Sequence, residues 1–508
     1  MLKATASAPL TVGRGIINAA ARFASRTAIE AGELCFTYAE LEQRLYRVGS
    51  MALHNKGLKP GDVVALLSPN RAEYLEIVAG LSEAGLIVAT LNPRLSAAEL
   101  ADILEDCEPA LAIVDPDLTE LRGALDEAGV ASLTLGENYE QALSEASPVA
   151  NSHAEEFGAF SICYTSGTTG KPKGVVLPHR SRALVCLASA VEYNCFGPGD
   201  RFLALAPLFH GAGFAFALAA ISHGGTCVLH DGNDAESIVS RLELGDIDGV
   251  FMVPTHFKRI HDLPEARFAR LREGHSLKAI ISNAAALSPR FKRLTVERFG
   301  SGLLHETYGS TEAGIVTNMR PDRLMDLPES VGTPFLSMEI EIRRPDGSLC
   351  DADEVGELFA RGPYTFVGYL NRERETAEAV RDGWVTVQDL AVRDAEGYIS
   401  IVGRAKDMIV SGGINIYPAE IEKVIAAQSG VAEVAVVGMS DEEWGERIHA
   451  FVVPSSSGSV DTELLVDSCR QQLSGYKVPR GVTILDELPR NASGKILKKE
   501  LRKLPPAA

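Results

Sequence analysis

The chain has 508 residues, more than a single hydrophobic core ordinarily organises, so at least two domains are expected. Hydrophobic residues at 46% and charged residues at 23% give a globular composition, and a net charge of -19 argues against nucleic acid or an anionic membrane as the main partner. Any anionic ligand must therefore be met by local basic side chains.

Near the N-terminus, Arg14, Arg22 and Arg26 interrupt the apolar residues, which argues against a secretory signal, although the first acid is Glu30 and gives a faint likeness to a transit peptide. From residue 36 to 111 helix and strand patterns alternate. Residues 38–56 read as an amphipathic helix, 62–67 as a buried strand, 72–84 as a helix and 86–90 as a strand, and 111–114 and 249–253 continue the series. Such alternation predicts a parallel α/β sheet. The apolar run 211–221 falls short of the roughly 18 residues of a membrane span, so no integral membrane segment is expected. Eight cysteines without a Cys-x-x-Cys pair, and no histidine cluster at ligand spacing, read as reduced, mostly buried thiols in a cytoplasmic setting.

Between the strand patterns 160–164 and 175–177 lies a loop dense in Gly, Thr, Ser and Lys. Gly167, Gly170 and Gly174 let backbone N–H groups approach a ligand, Thr165, Ser166, Thr168 and Thr169 add hydroxyl donors, and Lys171 and Lys173 add charge. This is the composition of a phosphate grip. It is not a P-loop: two residues rather than four separate Gly167 from Gly170, and Pro172 and Gly174 oppose a following helix. Taken alone, a solvated polar hairpin is the plain alternative.

Further on, residues 337–359 carry short strands (338–342, 357–359) and turns such as Pro345-Asp346-Gly347, the pattern of a small β-rich subdomain. Beyond Gly403 the pattern changes to helix 418–428, strands 434–437 and 449–453, helix 462–473 and strand 482–485, a separate α+β unit.

The loop from Ser166 to Gly174 resembles the nucleotide loop of the adenylate-forming enzymes, which include acyl-CoA synthetases, peptide-synthetase adenylation domains and luciferases. Tyr308-Gly309-Ser310-Thr311-Glu312, the stretch Trp384 to Asp389, Gly403-Arg404-Ala405-Lys406-Asp407 and Asn491 to Lys495 recur in that family's order, from near residue 10 to near 500. The branch resembled is that of 4-chlorobenzoate and medium- and long-chain acyl-CoA ligases. The resemblance implies a large N-terminal AMP-binding domain, 1–403, of α/β subdomains with a β-rich subdomain near 330–403, and a small mobile C-terminal domain, 404–508, hinged at Lys406.

By the same resemblance, residues 165–173 would hold the β- and γ-phosphates, Thr311 would touch the α-phosphate, and Glu312 would hold Mg²⁺, a hard cation suited to carboxylate and phosphate oxygen. Tyr308, Gly309, Asn283, Ala284 and Ala285 fall at nucleotide-seating positions; Asp389 and Arg404 would hold the ribose hydroxyls. Lys495 would bridge carboxylate and α-phosphate oxygens during adenylation, where a point charge on a flexible stem suits shifting negative charge. Ser411, Gly412, Gly413, Trp444, Tyr476 and Arg480, with Arg94, match positions that contact coenzyme A. The stretch 207–214 and its neighbours would line the acyl pocket through His210, Gly211, Ala212, Phe214, Phe251 and Gly314. Each residue has a plain reading as well: His210 or Trp444 alone is more often a core side chain, and a lone Glu312, Asp389 or Lys495 a solvated charge.

Two departures stand out: Asn283-Ala284-Ala285-Ala286 where the family carries a Gly-Gly-Ala-Pro-like loop, and Val387-Gln388-Asp389 where it carries Thr-Gly-Asp. The expectation is an AMP-forming acyl-CoA ligase that uses ATP, Mg²⁺ and coenzyme A on a bulky, apolar small-molecule carboxylic acid. Two alternatives stay open, an enzyme that chiefly performs the thioester-forming half-reaction on preformed acyl-AMP and one that loads a carrier-protein thiol. The oligomeric state stays open too.

Overall fold

The computed structural model describes residues 8–150, 152–165, 172–230, 232, 234–455, 460–490 and 496–504. The chain packs as two compact units, Met1–Ile340 with Ala360–Val385, and Glu341–Phe359 with Thr386–Ala508.

In the first unit, among the described residues, one sheet runs in the order Gly368–Tyr369, Lys173–Pro178, Ala159–Thr165, Ile87–Leu91, Val63–Leu67, Leu111–Val114, Ser132–Thr134. Its last five strands are parallel and its first two antiparallel. All four residues of Leu111–Val114 are buried, and so is every residue of the helix Ala72–Glu83. That is why Leu111–Val114 reads as a continuous apolar run rather than an alternating one. A second sheet has Leu304–Ser310, Ala279–Ser282, Gly249–Met252, Arg201–Ala204, Thr226–Leu229 and Thr27–Ala31 as parallel neighbours. Antiparallel strands close its edges, Leu34–Thr37 on one side and Gly314–Met319 with Thr333–Pro334 on the other. The expected parallel α/β interior is present, with antiparallel strands added at the margins.

The helix read over 38–56 is α-helical over Tyr38–Ser50 and then widens to a π-helical Met51–Asn55. Its start is fixed by a capping box in which Thr37 Oγ1 accepts the Glu40 N–H and the Glu40 carboxylate accepts the Thr37 N–H at 2.8 Å. The apolar run near 211–221 is the helix Gly211–Ser222; among the described residues no helix is long and apolar enough to cross a membrane. All eight cysteines are free, and six of them are buried.

The second unit contains the antiparallel pair Asp389–Arg393 and Ile399–Arg404, and a sheet in the order Ile414–Ile416, Ile409–Ser411, Gly445–Pro454, Val431–Asp441, with Gly481–Ile484 parallel to Gly445–Pro454. Ile421 and Ile425 of the helix Pro418–Ala426 and Leu465 and Cys469 of the helix Thr462–Gln472 pack with Val436, Ala450 and Val452 of that sheet. Val431–Asp441 and Gly445–Pro454 are longer than their sequence signals, because pairing carries the backbone past the apolar residues.

What positions the site is the polarity of the first unit's parallel strands. Arg94 follows Ile87–Leu91, His210 follows Arg201–Ala204, Asn283 follows Ala279–Ser282, and Gly309 ends Leu304–Ser310. The candidate residues of this unit thus gather at the carboxyl ends of strands, where open α/β sheets bind their ligands.

Candidate active site

Thr165 and Lys173 are paired residues at the open end of the hairpin formed by Ala159–Thr165 and Lys173–Pro178. Ser166, Gly167, Thr168, Thr169, Gly170 and Lys171 lie outside the described residues, as does Lys495. The base of the hairpin is tied down on one side. Tyr164 Oη donates to Asp106 Oδ2 at 2.9 Å, and Asp106 also pairs with Arg372 at 3.0 Å. Glycine is required at 174, since a Cβ there would come 2.9 Å from Ile162 Cγ2.

On the other side the hairpin meets a tyrosine that the motifs do not announce. Lys173 Nζ lies 5.0 Å over the ring of Tyr369, whose hydroxyl donates to Glu312 Oε1 at 2.7 Å. Burial and the neighbouring Glu312 charge push the Tyr369 hydroxyl well above the ordinary tyrosine range, so it remains a donor. Glu312 is only 9% exposed, and its second oxygen has no partner among the described residues.

Thr311 and Glu312 stand in the turn between Leu304–Ser310 and Gly314–Met319. The turn is held by Ala313 N–H donating to Ser310 Oγ at 3.0 Å and Phe366 N–H donating to Glu312 O at 2.8 Å. Gly314 adopts φ +72, and a Cβ there would lie 2.7 Å from Tyr364 Cβ. So Gly314 is needed for backbone shape and close approach, the space a side chain would take being filled by Tyr364. Gly211, at the start of its helix, faces the turn: a Cβ on it would be 3.8 Å from Thr311 Oγ1. Next to it, His210 is half-buried; burial and then the Arg94 charge push its pKa down to about 4, leaving a neutral imidazole at pH 7. Ala212 is half-buried beside them. Phe214 and Phe251 are each 2% exposed and packed in aromatic clusters, Phe214 stacked at 5.8 Å on Phe160 and Phe251 5.1 Å from Phe216. Both are packed core side chains rather than exposed ones.

The loop after Ala279–Ser282 is held by its own departures. Asn283 Nδ2 donates to Thr307 Oγ1 at 2.6 Å, and Asn283 Oδ1 accepts the Ala284 N–H. Leu287 N–H donates to Glu306 Oε1 at 2.8 Å, and Glu306 forms a buried ion pair with Lys292. Ala284 has φ +77, so an alanine keeps the left-handed conformation that a glycine would favour. A side chain in that region costs roughly 1 kcal/mol. Ala284→Gly is expected to recover up to about 1 kcal/mol, because relief of this strain outweighs the extra freedom of the unfolded chain; a thermal midpoint that stays or falls would show that the conformation is unstrained. Ala285 is exposed and Tyr308 is half-buried beside the turn.

The second unit carries its own constellation. Asp389 and Arg404 are paired residues on neighbouring strands, with Arg404 Nε 3.1 Å from Asp389 Oδ1. Gln388, before them, has φ +62, again the glycine conformation without glycine. Lys406 is held below the ordinary lysine range by burial and then by the Arg404 charge. Ser411 ends a strand, and Gly412 and Gly413, at φ +57 and +78, turn the chain back. Gly412 N–H donates to Trp444 O at 2.8 Å, and a Cβ on Gly412 would come 2.8 Å from the indole. Arg480 Cζ lies 4.7 Å over that indole, which is 37% exposed. Trp444 is thus a surface aromatic, not a core one. Tyr476, 49% exposed, stands on the short turn Gly475–Lys477 shortly before Arg480.

The chain matches the AMP-binding enzyme family over residues 17–370 and the AMP-binding enzyme C-terminal domain over 420–495. It is 36% identical over 484 residues to a feruloyl-CoA synthase of an Amycolatopsis species, covering 94% of this chain and 95% of that protein. It is 34% identical over 481 residues to a 2-succinylbenzoate–CoA ligase of Bacillus cereus, with 94% and 95% covered. Among solved structures it resembles ATP-bound MatB from Rhodopseudomonas palustris (TM-score 0.89, 28% identity, covering 98% of this chain and 99% of that one). It also resembles the o-succinylbenzoate CoA synthetase MenE from Bacillus subtilis in complex with its acyl-adenylate intermediate (TM-score 0.88, 28% identity, 99% and 100%). With two family matches in order along the chain and CoA ligases as full-length relatives, the protein belongs to the AMP-binding enzymes, in their acyl-CoA synthetase branch.

Proposed function

We propose that the chain converts a bulky, apolar carboxylic acid with ATP and coenzyme A, by way of acyl-AMP, to acyl-CoA, AMP and pyrophosphate. The observation that carries the reading is the convergence of Lys173, Tyr369, Glu312 and Thr311 at the carboxyl ends of the parallel strands. A carboxylate is a poor acyl donor because its leaving group would be oxide; adenylation replaces it with a phosphoester that a thiolate can displace. That first step is mainly charge positioning at the α-phosphorus.

In this reading residues 165–173 take the β- and γ-phosphates, Thr311 the α-phosphate, residues 283–285 with Tyr308 and Gly309 the adenine side, and Asp389 and Arg404 the ribose. Glu312 fits a magnesium ion: it is a buried hard oxygen donor with one oxygen oriented by Tyr369 and the other without a partner among the described residues. One carboxylate together with substrate phosphates is how Mg²⁺ is commonly held, and the ion would supply neutralisation of phosphate charge. Coenzyme A is met by Trp444 and Arg480, stacked and open to solvent, with Gly412 and Gly413 leaving room, and by Tyr476 and Arg94. Residues 1–403 and 404–508 act as the two domains, and rotation at Lys406 presents the small domain in two orientations.

The acyl preference rests on His210, Gly211 and Ala212. An imidazole that is neutral at pH 7 offers no charge to a second carboxylate, and burying an unpaired ion costs several kcal/mol. The relatives named for feruloyl and 2-succinylbenzoate agree on an aromatic acid and differ on the second carboxylate. Thioester formation across a panel of aromatic, alicyclic and long-chain acids, acetate, malonate and amino acids is the test. The expected result is fastest turnover of a monocarboxylic apolar acid; preferential turnover of a dicarboxylate or amino acid would overturn it. Asn283, Ala284 and Gln388 do not favour a second-half-reaction specialist, because Ala284 and Gln388 keep the left-handed φ that glycine would supply.

A further inference from the structure

Tyr369 sits in a two-residue strand, Gly368–Tyr369, far along the chain from the motifs it touches. The residue is fixed in three ways. It pairs with Val175 of the phosphate-loop hairpin, its N–H donates to Thr376 Oγ1 at 2.9 Å, and its ring meets Phe366 edge-on at 5.2 Å. The side chain therefore projects from a rigid support, with one face under Lys173 Nζ and its hydroxyl on Glu312 Oε1. Nothing in ordinary packing demands that one half-buried phenol meet both a loop lysine and a buried carboxylate.

Resting on the reading that Glu312 holds a divalent cation, we propose that Tyr369 is a positioning residue that couples the phosphate loop to the metal carboxylate: its hydroxyl fixes the Glu312 rotamer so that Oε2 alone is presented, and its ring sets the height of Lys173. A carboxylate with two free oxygens samples several rotamers and both coordination modes, and each bound ion then pays to select one. A hydroxyl donated to one oxygen removes that freedom in advance. The lysine and the carboxylate carry opposite charges and serve different parts of one ligand, the phosphate tail and its counter-ion. A shared neutral ring and hydroxyl keeps them apart and in register, where a direct ion pair would quench both.

The two contacts separate by mutation. Tyr369→Phe keeps the ring under Lys173 and removes only the bond to Glu312; Tyr369→Leu removes both. Binding of Mn²⁺ in the presence of a non-hydrolysable ATP analogue, followed by the electron paramagnetic resonance of free Mn²⁺, reads the carboxylate without turnover. Tyr369→Phe is expected to weaken Mn²⁺ about tenfold, the loss expected for a hydrogen bond to a charged group. The Mg²⁺ activation curve for acyl-AMP formation should move by the same factor and recover at high Mg²⁺, while thioester formation from supplied acyl-AMP stays near wild type. Tyr369→Leu should add a rise in the KM for ATP that Mg²⁺ does not rescue. Glu312→Gln serves as the reference. If it weakens Mn²⁺ and Tyr369→Phe does not, the positioning role is overturned and the metal reading stands; if Glu312→Gln leaves Mn²⁺ binding unchanged, the metal reading falls and the proposal with it. Equal loss of both half-reactions in Tyr369→Phe without recovery by Mg²⁺ would mark a merely structural tyrosine and overturn the proposal.

Discussion

Lys495→Ala is expected to lower acyl-AMP formation by about two to three orders of magnitude while leaving thioester formation from supplied acyl-AMP within a few fold of wild type. The magnitude is that of removing one preorganised charge stabiliser from a transition state. Adenylation brings a carboxylate against a triphosphate, so negative charge concentrates between the attacking oxygen and the α-phosphorus, and a flexible ammonium can follow it there. In the second half-reaction acyl group and AMP arrive joined, and the incoming nucleophile is a thiolate on the other side of the acyl carbon. An interaction made only in the first transition state can affect only the first rate. Pyrophosphate release with acid and ATP measures the first step, and thioester yield from synthetic acyl-AMP and coenzyme A the second. Equal losses in both assays would mean that Lys495 does not divide its work in this way.

Much of the scaffold was legible because its strands are buried on both faces. Val63–Leu67, Leu111–Val114 and Gly249–Met252 are short apolar runs between turn residues, and a chain with such runs has few other ways to hide them. The hairpin around the phosphate loop was legible for the same reason, with Thr165 and Lys173 at its mouth. Candidate residues spaced closely in sequence stay together in the fold: Tyr308 to Glu312 run from the end of one strand into the turn after it, and Asp389 and Arg404 are paired on neighbouring strands. What the sequence hid were partnerships across long separations. Tyr369 joins Lys173 and Glu312, Asp106 joins Tyr164 and Arg372, and Thr307 takes the Asn283 amide; none of these has a local pattern, because the partner is chosen by the folded sheet and not by spacing. Exposure was the other hidden quantity. Trp444 reads as a core aromatic until the turn at Gly412 lifts it to the surface under Arg480, and Phe214 reads as pocket wall until Phe160 stacks against it. The departures were visible, but their meaning was not. Ala284 and Gln388 sit at positive φ, the region that favours glycine, so their side chains add local strain.

Gly309→Ala should produce the opposite pattern to Lys495→Ala, with both half-reactions lost together. A Cβ at 309 would lie 2.1 Å from the carbonyl oxygen of Gly314 and 3.1 Å from Ile315 Cα, all backbone that cannot swing aside. Retreat is blocked from behind, because Gly314 is itself at φ +72 with Tyr364 packed where its Cβ would be. The register between the two strands already shifts at Tyr308 and Gly309, so the turn has no slack to absorb a further atom. The hairpin must therefore open, and Thr311 and Glu312 move with it. Displacement of about 1 Å at a reacting centre costs on the order of a hundredfold in rate. Thr311 is assigned to the α-phosphate, which is present both in ATP and in acyl-AMP, so the loss should appear in pyrophosphate release and in thioester formation alike. Overpacking of this kind also destabilises by about 1–3 kcal/mol, and the thermal midpoint should fall with it. Tyr369 adds a check: with Glu312 displaced, its hydroxyl loses its acceptor, and the Mn²⁺ affinity of Gly309→Ala should drop at least as far as that of Tyr369→Phe. A Gly309→Ala protein with wild-type stability and either half-reaction intact would show that the turn carrying Thr311 and Glu312 does not set the geometry of the site.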